Sequence, residues 1–150
     1  MKINLFAILM AALAGSVMAI QGTINAALGK IVGLLEATLI VMVIGVITAL
    51  VVLYPLGLGK GSMGKISEAP WFTFLGGLLI VIITYAVAAS IPRVGVATAT
   101  TAIVAAQVST AVIIDHFGLF GMEAIPFSWW KILGLVLLAA GTRIMLISSM

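Results

Sequence analysis

Apolar residues run along the chain in five blocks, each close to the length that a helix needs to cross a bilayer. The hydrocarbon slab is about 30 Å thick and an α-helix rises about 1.5 Å per residue, so about twenty residues span it. By that measure the spans are 3–28, 34–56, 71–91, 94–114 and 129–147. No block alternates apolar with polar positions, which excludes the strands of a membrane β-barrel. The pattern predicts an all-α membrane protein, a single domain over 1–150 with five transmembrane helices.

The first block has a rival reading as a signal peptide. Lys2, an apolar stretch and Val17-Met18-Ala19 resemble a signal with a small-residue cleavage site. The apolar run continues through Ile20 to Leu28, past the length of a signal's apolar region, and this favours a retained helix.

The connections differ by side. Helices one and two are expected to join through Gly29 to Gly33, and helices three and four at a Pro92-Arg93 corner. The other two joins are longer and rich in turn residues: Gly57 to Ser62 and onward, and His116 to Ser128 with Pro126. Tyr54, Trp71, Phe72, Trp129 and Trp130 gather on the long-loop side, where the headgroup layer attracts aromatic rings. Lys2, Lys60, Lys65 and Lys131 fall on that side, and Lys30, Arg93 and Arg143 on the other. The excess is too small to fix orientation by the positive-inside rule. Either the amino terminus lies in the cytoplasm, or copies insert both ways.

Five spans put the termini on opposite faces. Two copies facing opposite ways then reproduce, without a covalent link, the inverted repeat on which many transporters are built. A five-helix chain has little room for a private solvent path, so a closed, symmetric dimer is expected, as an antiparallel homodimer or with a paralogue.

Composition sharpens the class. Hydrophobic residues make up 64% of the chain and charged ones 7%, whereas a soluble domain is about 25% charged. A water-soluble enzyme domain, a disordered chain and a nucleic-acid binder are thereby excluded, leaving the lipid bilayer and a small-molecule substrate as partners. The net charge of +3 is scattered and forms no patch. With no cysteine and one histidine, His116, neither a thiolate site nor a transition-metal site is expected, and no cofactor is called for.

Polar residues inside the spans carry the candidate chemistry. Gly15, Gly22 and Gly29 recur every seven residues in the first helix, a seam along which another helix can approach closely. Gln21 and Asn25 sit one turn apart on that helix. An amide in hydrocarbon must find a partner or line a wet cavity, so these two are helix glue or ligand contacts. The fourth helix is small and polar almost all round, with Thr100, Gln107 and Thr110 on one face. Gln107 is the binding candidate there, and the threonines are expected to bond back to their own helix carbonyls. Tyr85 places a phenol away from the aromatic belt, for substrate contact or helix bonding. Glu36 is the carboxylate within a span and a candidate for proton coupling. It also suits the first turn of its helix electrostatically, and a pairing with Arg143 would hold it charged. Asp115, His116, Lys60, Lys65, Glu68 and Glu123 are expected to be solvated at loops.

Three runs of residues resemble one family. Gly15, Gln21, Asn25 and Leu28-Gly29 stand in the first helix, and Pro70-Trp71-Phe72 with Leu75-Gly76-Gly77-Leu78 at the third. Gly95-Val96-Ala97-Thr98, Gln107 and Asp115-His116-Phe117-Gly118 stand in the fourth. In order and spacing these resemble the YdcZ-like short, five-helix branch of the drug/metabolite transporter superfamily, over nearly the whole chain. The resemblance implies a bacterial inner-membrane half-transporter that pairs with an inverted partner and exports a small solute. It carries over to Gln21, Asn25, Gln107 and Asp115. Glu36 departs from the family pattern, which leaves shared proton coupling open.

The expected function is therefore secondary transport of a small organic solute by alternating access in an antiparallel dimer, with Gln21, Asn25, Tyr85 and Gln107 lining the path. The alternative is a non-transporting membrane subunit that stabilises or regulates a paralogous half-transporter. An aqueous pore is disfavoured, since no ring of like charges lines any helix.

Overall fold

In lipid, a spanning chain must satisfy its backbone groups internally, so even the Val- and Ile-rich stretches here become helix. The computed structural model describes residues 4–147. Among these are five α-helices long and apolar enough to cross a membrane. They are α1 (Leu5–Val32), α2 (Leu34–Leu53), α3 (Leu75–Val94), α4 (Val96–Phe117) and α5 (Trp129–Ile147). A 3₁₀ turn at Trp71–Phe74 leads directly into α3. The chain divides into two compact units, Met1–Ser90 and Ile91–Met150. In the first, α1 packs on α2; in the second, α4 packs on α5.

Local chemistry sets the helix ends. Asn4 caps α1, its side-chain oxygen accepting from the Ala7 N–H at 3.2 Å. Gly118 closes α4 in the left-handed conformation (φ 60°, ψ 37°), and a Cβ there would press on the Met122 carbonyl at 2.9 Å. Within the spans, hydroxyls bond back one turn: Ser16, Thr23, Thr38, Thr48, Thr101, Ser109 and Thr142 each donate to the carbonyl four residues earlier.

Both short joins are tighter than the sequence suggests. Helix α1 runs on through Gly29 to Val32, so that Gly33 alone separates it from α2. Helix α3 continues through Pro92 and Arg93 to Val94, and Gly95 alone separates it from α4. Pro92 lacks the N–H that would bond four residues back, yet a neighbouring hydroxyl works in the same turn: Ser90 donates to the Val87 carbonyl at 3.0 Å. The turning points are Gly33 (φ 101°, ψ 150°) and Gly95 (φ 85°, ψ 159°), in a region essentially reserved for glycine. Each glycine N–H still bonds four residues back, to Gly29 and Ile91, and each glycine carbonyl accepts four residues on, from Ala37 and Ala99. One residue thus joins successive helices without leaving its own backbone groups idle.

Little of each helix is buried, and what is buried is small. Ala26, Ala37, Ala88 and Ala99 are covered, as are Asn25, Thr38, Thr84 and Thr98. Small residues at contacts and large apolar ones facing outward is how helices pack in lipid, where burying leucine gains nothing. In the glycine seam, Gly22 is buried, Gly29 leaves room for Leu34, and Gly15 faces open space. Trp71, Trp129, Trp130 and Tyr54 are exposed near helix ends, as a headgroup belt requires.

Candidate functional site

Residues 18, 21, 22 and 25 recur at i, i+3, i+4 and i+7, which puts them on one face of α1 near its middle. That face meets a half-open nook inside the first unit, lined by Met18, Gln21, Gly22 and Asn25 from α1 and by Ile83, Thr84 and Val87 from α3. Its volume is 40 Å³. Gly22 contributes space, since it has no side chain. The lining holds an amide pair, a hydroxyl, a thioether and two branched aliphatics, and no formal charge.

Asn25 and Thr84 are more than nine-tenths buried, at 6% and 7% exposure. Neither side chain has a hydrogen-bond partner among the described residues. Seven other helix hydroxyls bond back to the preceding turn, whereas Thr84 does not, and neither do Thr98, Thr100 and Thr110 of α4, where back-bonding was expected of the last two. Their polar atoms keep access to the hollow: among the described residues, the covered side-chain nitrogen or oxygen without a bond is Lys131 Nζ. Both residues face one small hollow lined by α1 and α3.

The other expected residues lie apart from this nook. Tyr85 neighbours Thr84 in sequence but does not line the hollow, and it is 39% exposed. Gln107 lies exposed on α4 in the second unit. Glu36 is exposed in the first turn of α2, with its carboxylate folded back over Gly33: a Cβ on that glycine would collide with Oε2. A negative charge there complements the helix N-terminus. Arg143 is exposed on α5 in the second unit. Thr84 is the residue missed by sequence reasoning. Its signal was the spacing Thr84, Ala88, Ile91, which the structure buries as one stripe of α3.

Asp115 and His116 stand beside the loop, in the last turn of α4, which continues to Phe117; His116 is exposed and Asp115 partly so. The Asp115 carboxylate lies 3.7 Å from the Lys131 ammonium of α5, whose nitrogen is buried and has no hydrogen bond. The Asp115 carbonyl accepts from the Ile125 N–H at 2.7 Å, which anchors that loop. The His116 ring meets Phe117 and Phe127 edge-on, at 4.8 and 5.6 Å between centroids. Among the described residues no three of His, Asp and Glu converge on a point that would hold a metal ion.

Residues 6–144 match the family described as "Putative inner membrane exporter, YdcZ". The chain belongs to this family. No curated protein and no solved structure matches it. The YdcZ match covers all five helices in whole or in large part and includes every residue of the nook. The protein is accordingly a multi-pass inner-membrane protein of a transporter family, which is not an enzyme class.

Proposed function

We propose that this YdcZ-family chain is half of an exporter. Two copies inserted in opposite directions enclose a chamber and move a small organic solute by alternating access. The observation that carries this is the nook itself. Its 40 Å³ is about the room of one water molecule, too little for an organic solute, yet it holds a buried, unbonded amide. A polar recess of that size at mid-span serves as one wall of a larger chamber, and the odd number of spans supplies the inverted second wall.

Gln21 and Asn25 present amides to the solute, and Tyr85 and Gln107 are assigned to the same path. Glu36 is the candidate for coupling transport to a proton, a role that a pairing with Arg143 would remove by holding the carboxylate charged. The test is transport by reconstituted protein of a solute that the wild type moves. Asn25→Leu and Gln107→Leu are expected to fold normally and to lose most of the rate. Full-rate transport by both would remove the chamber. The inverted pairing is read separately from carboxyl-terminal accessibility tags across a cell population: a mixed signal fits inverted homodimers. A uniform signal requires a paralogous partner or a parallel arrangement.

A further inference from the structure

We infer that Asn25 and Thr84 form a recognition site for one uncharged group that both donates and accepts hydrogen bonds, a hydroxyl or a primary carboxamide on the solute. This rests on the exporter reading and adds to it the chemistry of what is moved, together with Thr84 as a specificity residue.

The argument begins with complementarity. An asparagine side chain offers one acceptor oxygen and two N–H donors, and a threonine hydroxyl offers one donor and two lone pairs. Both residues are largely buried, line the hollow and keep accessible, unbonded polar atoms, so a ligand there meets donors and acceptors together. A group with both functions satisfies them. An ammonium or a carboxylate satisfies only part of them.

Charge excludes the ionic alternatives. No Asp, Glu, Lys, Arg or His lines the nook, which lies within the membrane spans of α1 and α3. An ion entering it would lose its hydration and gain no counter-charge, which is far more costly than the transfer of a neutral dipole. Size and shape agree. The hollow admits a group of about one water's volume, while Met18, Ile83 and Val87 supply apolar wall for the carbon beside that group. Helix glue is the competing role for Asn25, but glue is bonded across helices and this amide is not.

The chain has two asparagines, Asn4 and Asn25, so ¹⁵N-asparagine labelling of the full protein in lipid nanodiscs gives two side-chain amide signals. Asn4 caps α1 and serves as the internal reference. The probes are acetamide, acetate and methylammonium, similar in size and differing in charge. Acetamide is expected to shift the Asn25 signal saturably and leave Asn4 unmoved, with no saturable shift from the two ions. Thr84→Val is expected to weaken acetamide binding by about fivefold, the loss of one neutral hydrogen bond, and Thr84→Ser to restore it. The site is overturned if either ion shifts Asn25 as acetamide does, if no probe shifts it, or if Thr84→Val leaves acetamide binding unchanged. Should Thr84→Val fail to fold, the neutral-against-charged comparison in the wild type decides alone. The exporter reading is judged apart from this, by Gln107→Leu transport and by the orientation tags.

Discussion

Polar groups are treated in opposite ways at the middle and at the ends of these helices. Within the spans of α1 and α3, Asn25 and Thr84 are uncharged, largely buried and unbonded beside a 40 Å³ hollow. At the end of α4 and the start of α5, Asp115 and Lys131 carry full charges 3.7 Å apart, partly open to their surroundings. The difference follows from depth. Full charges are tolerated near the interface, where they pair: the covered Lys131 nitrogen faces the partly exposed Asp115 carboxylate. Within the hydrocarbon only neutral dipoles survive, and Asn25 and Thr84 leave theirs unbonded but accessible from the hollow rather than fully covered.

The contrast breaks most visibly if charge is put where the structure holds none. Asn25→Asp is expected to cost about 2–4 kcal/mol at neutral pH, because a carboxylate placed there loses hydration and gains no counter-charge. Thermal unfolding midpoints of the variant and the wild type in lipid measure the loss. An unchanged midpoint would mean that the nook is as wet as the helix ends.

At the other pole, Asp115→Leu leaves the buried Lys131 nitrogen without its counter-charge. With these side chains 26% and 42% exposed, the expected loss is about 1–2 kcal/mol, and Lys131→Met should restore part of it in the double variant. A double-mutant cycle on unfolding midpoints measures the coupling. Zero coupling would reduce the pair to a surface contact.

Much of this was legible in the chain. The five spans follow from block length alone, and the face that lines the nook follows from Met18, Gly22 and Asn25 at helical spacing. The short joins were less so. Gly33 and Gly95 turn the chain in one residue each, and a φ of 101° or 85° is invisible in a sequence that also spends glycines at open positions such as Gly45 and Gly141. The partners of Asp115 were not legible, because the return of the Ile125 N–H to the end of α4 depends on how the Pro126 loop folds. Thr84 was hidden for a different reason. Threonines in membrane helices ordinarily bond to their own backbone, and the missing bond is a fact of packing that spacing does not encode.

A smaller effect is expected at Glu36. Glu36→Gln removes a charge from the start of α2, worth about 0.5 kcal/mol in stability at an exposed helix end. Its larger consequence is in transport: the pH dependence of the rate should flatten if this carboxylate carries the proton. An unchanged pH profile would leave Glu36 as a helix-end charge alone.

The smallest change in stability is expected from the most informative variant. Asn25→Leu combined with Thr84→Val replaces both unbonded polar groups by apolar ones of similar shape, which is nearly neutral or stabilising when the originals have no partners. The decisive measurement is its thermal unfolding midpoint in lipid, taken beside the transport rate of the same preparation. The account predicts a midpoint at or above the wild type's and a transport rate near zero. A lowered midpoint with transport intact would show that Asn25 and Thr84 hold helices together and bind nothing.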